Sequence, residues 1–411
     1  MKKLLQTAAA VVLCSSASLG AGFQLNVQGI RQIAMAGGGT AYPWDASTIF
    51  YNPGGLSRLS SIQAYGSVQV LIPRTQYAAP AGYGDYKQDS EGGFYTPFNL
   101  YVGGPLKQGS KWGLGVGVYT PFGSGMKWDE GWRGRYVVQS ISLLSVFVQP
   151  TVSYKINETF SVGAGFIYGF GNLKLKRAVP LQSSTVADGQ GELKGNANGV
   201  GFNLGVQIKA SEQWQFGLSY RSQVRMKVKE GDAIFTVPAS VASNFPNTTF
   251  KASVPLPQVA SLGIAYKPTS KLTLQLDLNY VDWSAYDTLK FDYKENTTVL
   301  ADTRAPREYE DKLAIRLGGH YQANSKWALM AGAGYDPSPV KDGFVSPDLP
   351  DADRWIISGG FMVKPLEKLS ILAAVEYGVS QKREAVYAPD NFNGTYQTKA
   401  IVPCIGITYD F

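Results

Sequence analysis

The chain has 411 residues and a formal net charge of +7, with 12% aromatic and 17% charged residues, 46 Gly and 22 Pro. Acidic and basic side chains are interleaved, so there is no basic stripe of the kind that neutralises a nucleic-acid backbone, and nucleic acid is excluded as a partner. No linker or composition break divides the chain, and charges fall in bursts between alternating apolar segments rather than on helical faces, which points to a β protein.

Residues 1–20 begin with Lys2-Lys3, continue through an apolar run and end in small residues, the pattern of a secretory signal peptide. Ser18 and Gly20 satisfy the small-x-small requirement, so cleavage is expected after Gly20, leaving Ala21 as the mature N-terminus. A lipoprotein signal using Cys14 is disfavoured because Leu13 stands where that signal wants a small residue. Removal of Cys14 leaves Cys404 alone, and no intramolecular disulfide can form. Past Gly20, no apolar run approaches the roughly 20 residues that a membrane-spanning helix needs.

Residues 45–56, DASTIFYNPGGL, lie between a glycine run (Gly37, Gly38, Gly39) and the first alternating segment. Pro53 fixes one dihedral and biases Asn52 toward an extended or turn geometry, while Gly54 and Gly55 let the backbone turn tightly or approach a neighbour. The stretch reads as either a surface loop or the centre of a compact N-terminal element at residues 21–60. From Gln63 a unit then recurs: a polar turn, an aromatic or Leu, and strict apolar/polar alternation. The turns lead into Trp112, Phe160, Trp214, Leu272, Trp327 and Leu369. Their spacing allows two strands of about ten residues and a long opposite loop, one hairpin per unit.

Leu272, Leu274, Leu276, Leu278 and Tyr280 share one face, and Thr273, Gln275, Asp277 and Asn279 the other. Asp277, Arg221, Arg316 and Glu376 all fall opposite the aliphatics. A charge on a lipid face near the midplane costs roughly 2–4 kcal/mol, so this sorting favours a membrane barrel over a soluble sandwich. The chain ends inside a strand on Phe411, a terminal aromatic of the kind that marks outer-membrane barrels for the assembly machinery. Residues 61–411 therefore read as an all-β transmembrane antiparallel barrel of about fourteen strands. Its long connections are expected near residues 73–95, 121–136, 172–198, 222–258, 282–311, 336–354 and 380–399.

Several stretches resemble the FadL/TodX family of outer-membrane transporters for long-chain fatty acids and hydrophobic compounds. These are AGFQLNVQG from Ala21, DASTIFYNPGGL, the Pro-Phe, Trp and Arg-Tyr elements between Tyr119 and Tyr136, VPLPQVASLGIAYKP leading to Asp282-Trp283-Ser284, and PSPVKDGFVSPDLPDADRWIISGG from Pro337. The resemblance implies a barrel plugged by a small N-terminal hatch, with an inward kink in the third strand that opens a hole in the wall. The hatch motif of the family is usually Asn-Pro-Ala; here it is Asn52, Pro53 and Gly54. The implied function is passive uptake of long-chain fatty acids or similar hydrophobic molecules through a hatch-gated barrel with lateral exit, the alternative being a channel for aromatic hydrocarbons.

Gly113, Gly115 and Gly117 put side-chain-free positions on the lumenal face of the third strand, where they either permit the kink of a lateral opening or make room for the plug. Arg221 and Arg316 are candidates to hold a carboxylate, against the alternative that each pairs with a lumenal acid. Phe23, Phe50, Phe122, Trp128, Trp132 and Phe245 are candidates for an apolar path, or for loop packing. His320 has no Ser or Asp motif beside it and no Cys/His cluster suggests a metal, so neither catalysis nor a cofactor is expected. A structural or adhesive barrel and an outer-membrane hydrolase are the remaining rivals. The expected partners are a hydrophobic small molecule, outer-membrane lipid and lipopolysaccharide, and the assembly machinery, with the barrel a monomer.

Overall fold

In the computed structural model, which describes residues 21–181 and 188–411, twenty-two strand segments join into one antiparallel sheet. The expected signal peptide lies outside the described residues. Segments separated by a bend or bulge combine into fourteen wall strands. The first four are β1 (Gln63–Gln69 and Ile72–Ala78), β2 (Lys87–Asp89 and Phe98–Pro105), β3 (Trp112–Tyr119 and Gly123–Lys127) and β4 (Ser140–Lys155). Then come β5 (Phe160–Val179), β6 (Gly189–Lys209), β7 (Trp214–Arg221 and Val224–Thr236), β8 (Thr248–Leu256 and Val259–Tyr266) and β9 (Leu272–Val281 and Thr288–Tyr293). The last five are β10 (Thr303–Pro306 and Lys312–Gln322), β11 (Trp327–Asp336), β12 (Arg354–Leu366), β13 (Leu369–Ser380 and Arg383–Tyr387) and β14 (Phe392–Asp410). Pairing of β14 back onto β1, from Gln63 opposite Asp410 to Gln69 opposite Cys404, closes the barrel. Closure satisfies the backbone groups that an open edge would leave bare in hydrocarbon.

The two faces are sorted as the alternation requires. On β10, Leu313, Ile315 and Leu317 are exposed while Ala314 and Arg316 are buried, and the same holds for Leu274 against Asp277 and for Val375 against Glu376. Aromatic pairs mark the short-turn rim: Trp112 with Tyr154, Trp214 with Tyr266, and Trp327 with Phe361. Tyr335 and Trp355 pair toward the opposite rim. Aromatic girdles of this kind sit at the two membrane interfaces.

The long connections are shorter than the sequence pattern suggests. Much of residues 172–198 and 222–258 is strand, as β5 and β6 run out to Val179 and back from Gly189, and β7 and β8 continue through Thr236 and Thr248. In these extensions the period of two persists, with Val224, Met226 and Val228 buried. The outward alternates have become charged, which hid the strands from a reading keyed to aliphatic outer faces.

Before β1, residues 21–62 form only two short helices, α1 (Ile30–Ala34) and α2 (Thr48–Tyr51), and a 3-10 turn at Pro53–Arg58. Nearly all of this segment is buried, Leu25, Val27, Ile30, Ile33, Ile49, Asn52 and Leu56 completely.

Candidate functional site

So little regular structure leaves many backbone groups of the N-terminal segment without internal partners, and inward-facing wall side chains supply them. Asn99 donates to Val27 O at 2.7 Å, and Gln28 in turn donates to Thr120 O at 2.9 Å. Tyr65 Oη accepts from Ile30 N at 2.6 Å, and Ser358 Oγ from Ala36 N at 2.9 Å. Asp277 accepts from Thr40 N at 2.8 Å; Gln149 donates to Ile49 O at 2.7 Å, and Ser161 to Gly54 O at 2.7 Å. Asn52 bridges segment and wall: its Nδ2 donates to Thr40 O and to Val206 O, both at 2.9 Å, and its Oδ1 accepts from Gly54 N at 3.1 Å.

Close approach at these contacts depends on missing side chains in the wall. A Cβ on Gly163 would lie 2.4 Å from Pro53 C, one on Gly217 1.9 Å from Thr40 O, and one on Gly332 2.3 Å from Met35 C. Gly113 is of the same kind, with Ser57 Cα at 2.9 Å, while Gly115 and Gly117 face the Ile49 side chain. Through these three glycines β3 is an unbroken ladder, paired with β2 and β4 from Trp112 to Tyr119.

The break in β3 comes after them. Thr120 and Pro121 leave the sheet, Phe122 O accepts from Ser145 N of β4 at 3.1 Å, and the strand resumes at Gly123 with ladder pairs to β4 alone. The N-terminal segment meets this break: Leu25 N donates to Pro121 O at 2.9 Å, Gly123 N to Phe23 O at 3.0 Å, and Gln24 bridges Phe122 in antiparallel fashion. Pro121 has no N–H to give a ladder, which suits it to this position. On the side of β2, Tyr95 lies over Gly125, and Glu91 N donates to Lys127 O at 2.7 Å.

Beside this junction is a small cavity of about 60 Å³, lined among others by Ala21, Phe50, Arg221, Trp283, Lys312 and Arg316. Arg316 is ion-paired with Asp336, both buried. Arg221 has no such partner among the described residues; it donates to Tyr119 Oη at 3.0 Å and to Phe50 O at 2.6 Å, and its guanidinium lies 3.8 Å from the centroid of the Phe50 ring. Tyr119 in turn hydrogen-bonds Gln149, so the cation is held by neutral groups. Lys312 is ion-paired with Glu310 at 3.0 Å, so of the three cations at this cavity two are neutralised within the protein and Arg221 is not.

The family described as outer membrane protein transport protein (OMPP1/FadL/TodX) matches residues 11–411. The chain belongs to this family. A long-chain fatty acid transport protein of Salmonella typhi is 22% identical over 94% of this chain and 93% of its own. Among solved structures, a Pseudomonas aeruginosa FadL homologue superposes with a TM-score of 0.83 at 20% identity, over 95% of this chain and all of that one. The Pseudomonas putida toluene transporter TodX superposes with a TM-score of 0.74 at 16% identity, over 93% of this chain and 98% of that one. Membership in the FadL/TodX family places the barrel in the outer membrane.

Of the sequence candidates in this FadL/TodX barrel, Phe50, Arg221 and Arg316 share the cavity. Phe23 and Phe122 pack together at 6.0 Å, with Trp283 and Tyr286 against Phe23 at 5.0 and 5.2 Å. Trp128 and Trp132 stack on each other at 4.5 Å away from that cavity, their indole N–H groups donating to Pro347 O and Val138 O. Phe245 sits in the β7–β8 connection near Phe235. His320 is buried with its ring 4.4 Å from that of Trp44. The sequence reading missed Tyr119, Asp336 and the glycines Gly163, Gly217 and Gly332. The signal for the glycines was present, as each stands at an inward position between outward aliphatics or aromatics.

Proposed function

We propose that the barrel takes up long-chain fatty acids or similar hydrophobic molecules by passive diffusion, with residues 21–60 as the hatch of the barrel formed by residues 61–411 and the break in β3 as a lateral exit. The observation that carries this reading is the stitching of residues 23–25 to the interrupted strand at Pro121–Gly123. A segment that fills a gap in the wall opens that gap when it shifts. The cavity behind it, about 60 Å³, is far below the roughly 300 Å³ or more of a typical ligand pocket, so a substrate enters only if the segment moves. Carrying an acyl chain through water costs about 0.8 kcal/mol per CH₂, and a path ending in the bilayer avoids that cost. Arg221, with no carboxylate of its own, suits the head group of a fatty acid. No catalytic step is part of this reading; the barrel acts as a monomer and Phe411 addresses it to the assembly machinery.

The neutralisation of Arg316 by Asp336 and the aromatic lining around Phe23 favour a second reading, an aromatic hydrocarbon such as the toluene named for TodX. One experiment addresses both. Antiparallel bridge partners lie about 4.5–5.5 Å apart at Cα, within disulfide range, so Gln24→Cys with Phe122→Cys ties the segment to the strand. Uptake of radiolabelled oleate and, separately, of toluene is measured in cells lacking their own transporter. Loss of oleate uptake on oxidation and its return on reduction is the expected result. Toluene uptake alone selects the second reading, and uptake unaffected by the crosslink overturns the lateral exit.

A further inference from the structure

The extension of β7 above the membrane carries a feature that uptake does not use. Arg225, Lys227 and Lys229 occupy successive outward positions, alternating with the buried Val224, Met226 and Val228. Alternate residues of a strand stand about 6.7 Å apart, so three cations span about 13 Å on the outer wall. A bulge between Val228 and Gly231, present against both β6 and β8, ends the run. Its tight side is fixed by Gly231, where a Cβ would lie 2.6 Å from the Phe250 ring. Glu230 within the bulge and Asp232 past it are acidic, and Asp232 stands opposite Lys194 of β6, so the row of outward cations on β7 itself ends at that height.

That height is the upper margin of the apolar band. Lys227 lies opposite Asn198 of β6, and Asn198 lies opposite Phe170 of β5, with exposed Tyr168 and Val200 one step below. More cations flank the run. Lys251 stands on β8, and Lys174 and Lys194 are register partners that share the single carboxylate of Glu192 at 3.1 and 2.8 Å. Among the described residues, Arg225, Lys227, Lys229 and Lys251 form no ion pair. The three exposed cations in a row on β7 are costly to leave beside one another at the edge of a lipid-facing surface and complement an anion spread along the same line, while Lys251 on the neighbouring strand stands opposite Asp292.

We propose that the run Arg225, Lys227 and Lys229, flanked by Lys174, Lys194 and Lys251, is a docking surface for the phosphates of the phosphorylated glycolipid of the outer leaflet. In an outer-membrane protein, the lipid meeting the upper margin of the apolar band carries phosphates at both ends of a disaccharide directly above its acyl chains. The phosphates meet the cations of β7 and β8, and the acyl chains lie on Tyr168, Phe170, Val200 and Phe202.

The test is native mass spectrometry of the full barrel in mild detergent, titrated with bis-phosphorylated hexa-acyl lipid A and, in parallel, with phosphatidylglycerol. Correct folding is followed by heat-dependent electrophoretic mobility. A juxtamembrane cation at an anionic surface is worth about a fivefold change in binding, so the triple variant Arg225→Gln/Lys227→Gln/Lys229→Gln is expected to bind lipid A about a hundredfold more weakly. The single variant Lys227→Ala is expected to show about a fivefold loss. A control triple variant at the other rim, Lys107→Gln/Lys111→Gln/Lys271→Gln, is expected to bind as wild type does. Equal weakening by the control variant, unchanged binding by the β7 variant, or equal affinity of wild type for phosphatidylglycerol would each overturn the proposal.

Discussion

Replacing Asn52 by Ala is the sharpest probe of how the N-terminal segment is held. The side chain is completely buried and makes three hydrogen bonds, two donated to Thr40 O and Val206 O and one accepted from Gly54 N. A neutral hydrogen bond contributes about 0.5–1.5 kcal/mol net, and a buried group left without its partner costs about 1–3 kcal/mol. Val206 lies within a wall strand and keeps its ladder, so the largest penalties fall on Thr40 O and Gly54 N. The sum is about 3 kcal/mol, on the order of a hundredfold in the local opening equilibrium. Amide hydrogen exchange in residues 40–58 should accelerate by that factor, while β9 to β12 exchange as in wild type. Unchanged exchange in residues 40–58 would refute the accounting. Acceleration spread evenly over the wall strands would show that Asn52 supports the barrel instead of docking the segment.

Four further outcomes are expected. Arg307 and Asp348 form a buried bidentate pair between external connections, with bonds of 2.9 and 2.7 Å, so Asp348→Asn strands a buried cation and should loosen residues 340–354 by about 3–5 kcal/mol in hydrogen exchange. Burial alone would raise the Asp348 carboxyl, but the Arg307 charge and hydrogen bonds outweigh it and hold it below its usual value. Its contribution is therefore present above the ordinary carboxylate range and lost only as pH falls through the lowered value, so protection of residues 340–354 should be equal at pH 7 and pH 5. Gly54→Ala restores the residue usual in the family, yet its Cβ would lie 3.0 Å from Gly205 O and 3.1 Å from Gln207 N and Ser161 O. Crowding by three backbone atoms should outweigh the roughly 0.4–1 kcal/mol gained from a stiffer unfolded chain, and denaturant titration of the segment should show a net loss. Arg221→Ala should raise the oleate concentration for half-maximal uptake at least tenfold and leave toluene uptake unchanged; an equal effect on both would remove the carboxylate role.

The wall was legible because a lipid-facing barrel obeys one strong rule. Burying a charge in hydrocarbon is costly, so outward and inward residues separate cleanly, and the strand starts at Trp112, Phe160, Trp214, Leu272, Trp327 and Leu369 are those the alternation marks. Above the apolar band that rule lapses. Val224, Met226 and Val228 still face inward, but their neighbours Arg225, Lys227 and Lys229 gave the stretch the look of a loop. The break in β3 is signalled in the sequence by Pro121, whereas Gly113, Gly115 and Gly117 before it lie in a continuous ladder. Those glycines make room, as do Gly163 and Gly217, and only the folded chain shows which backbone fills the room. Arg221 and Arg316 look alike in sequence, and the difference between them is Asp336, at the end of the strand that follows Arg316.

On the proposed reading, in which residues 21–62 shift to open the wall, the manner in which they are held accounts for how so irregular a segment is both ordered and displaceable. Its helices are too short to satisfy their own termini, and α1 and α2 have no side-chain N-cap. Order comes instead from wall residues such as Asn99, Gln149, Ser161, Asp277 and Ser358, each contributing about 0.5–1.5 kcal/mol. Water can replace each of these partners as the segment shifts, so the intermediate positions leave few groups unpaired. The apolar side chains Leu25, Val27, Ile30 and Ile49 are different, because nothing but another apolar surface replaces their burial. A hydrophobic molecule entering the space they vacate supplies that surface, which makes displacement of the segment cheapest when such a molecule is present.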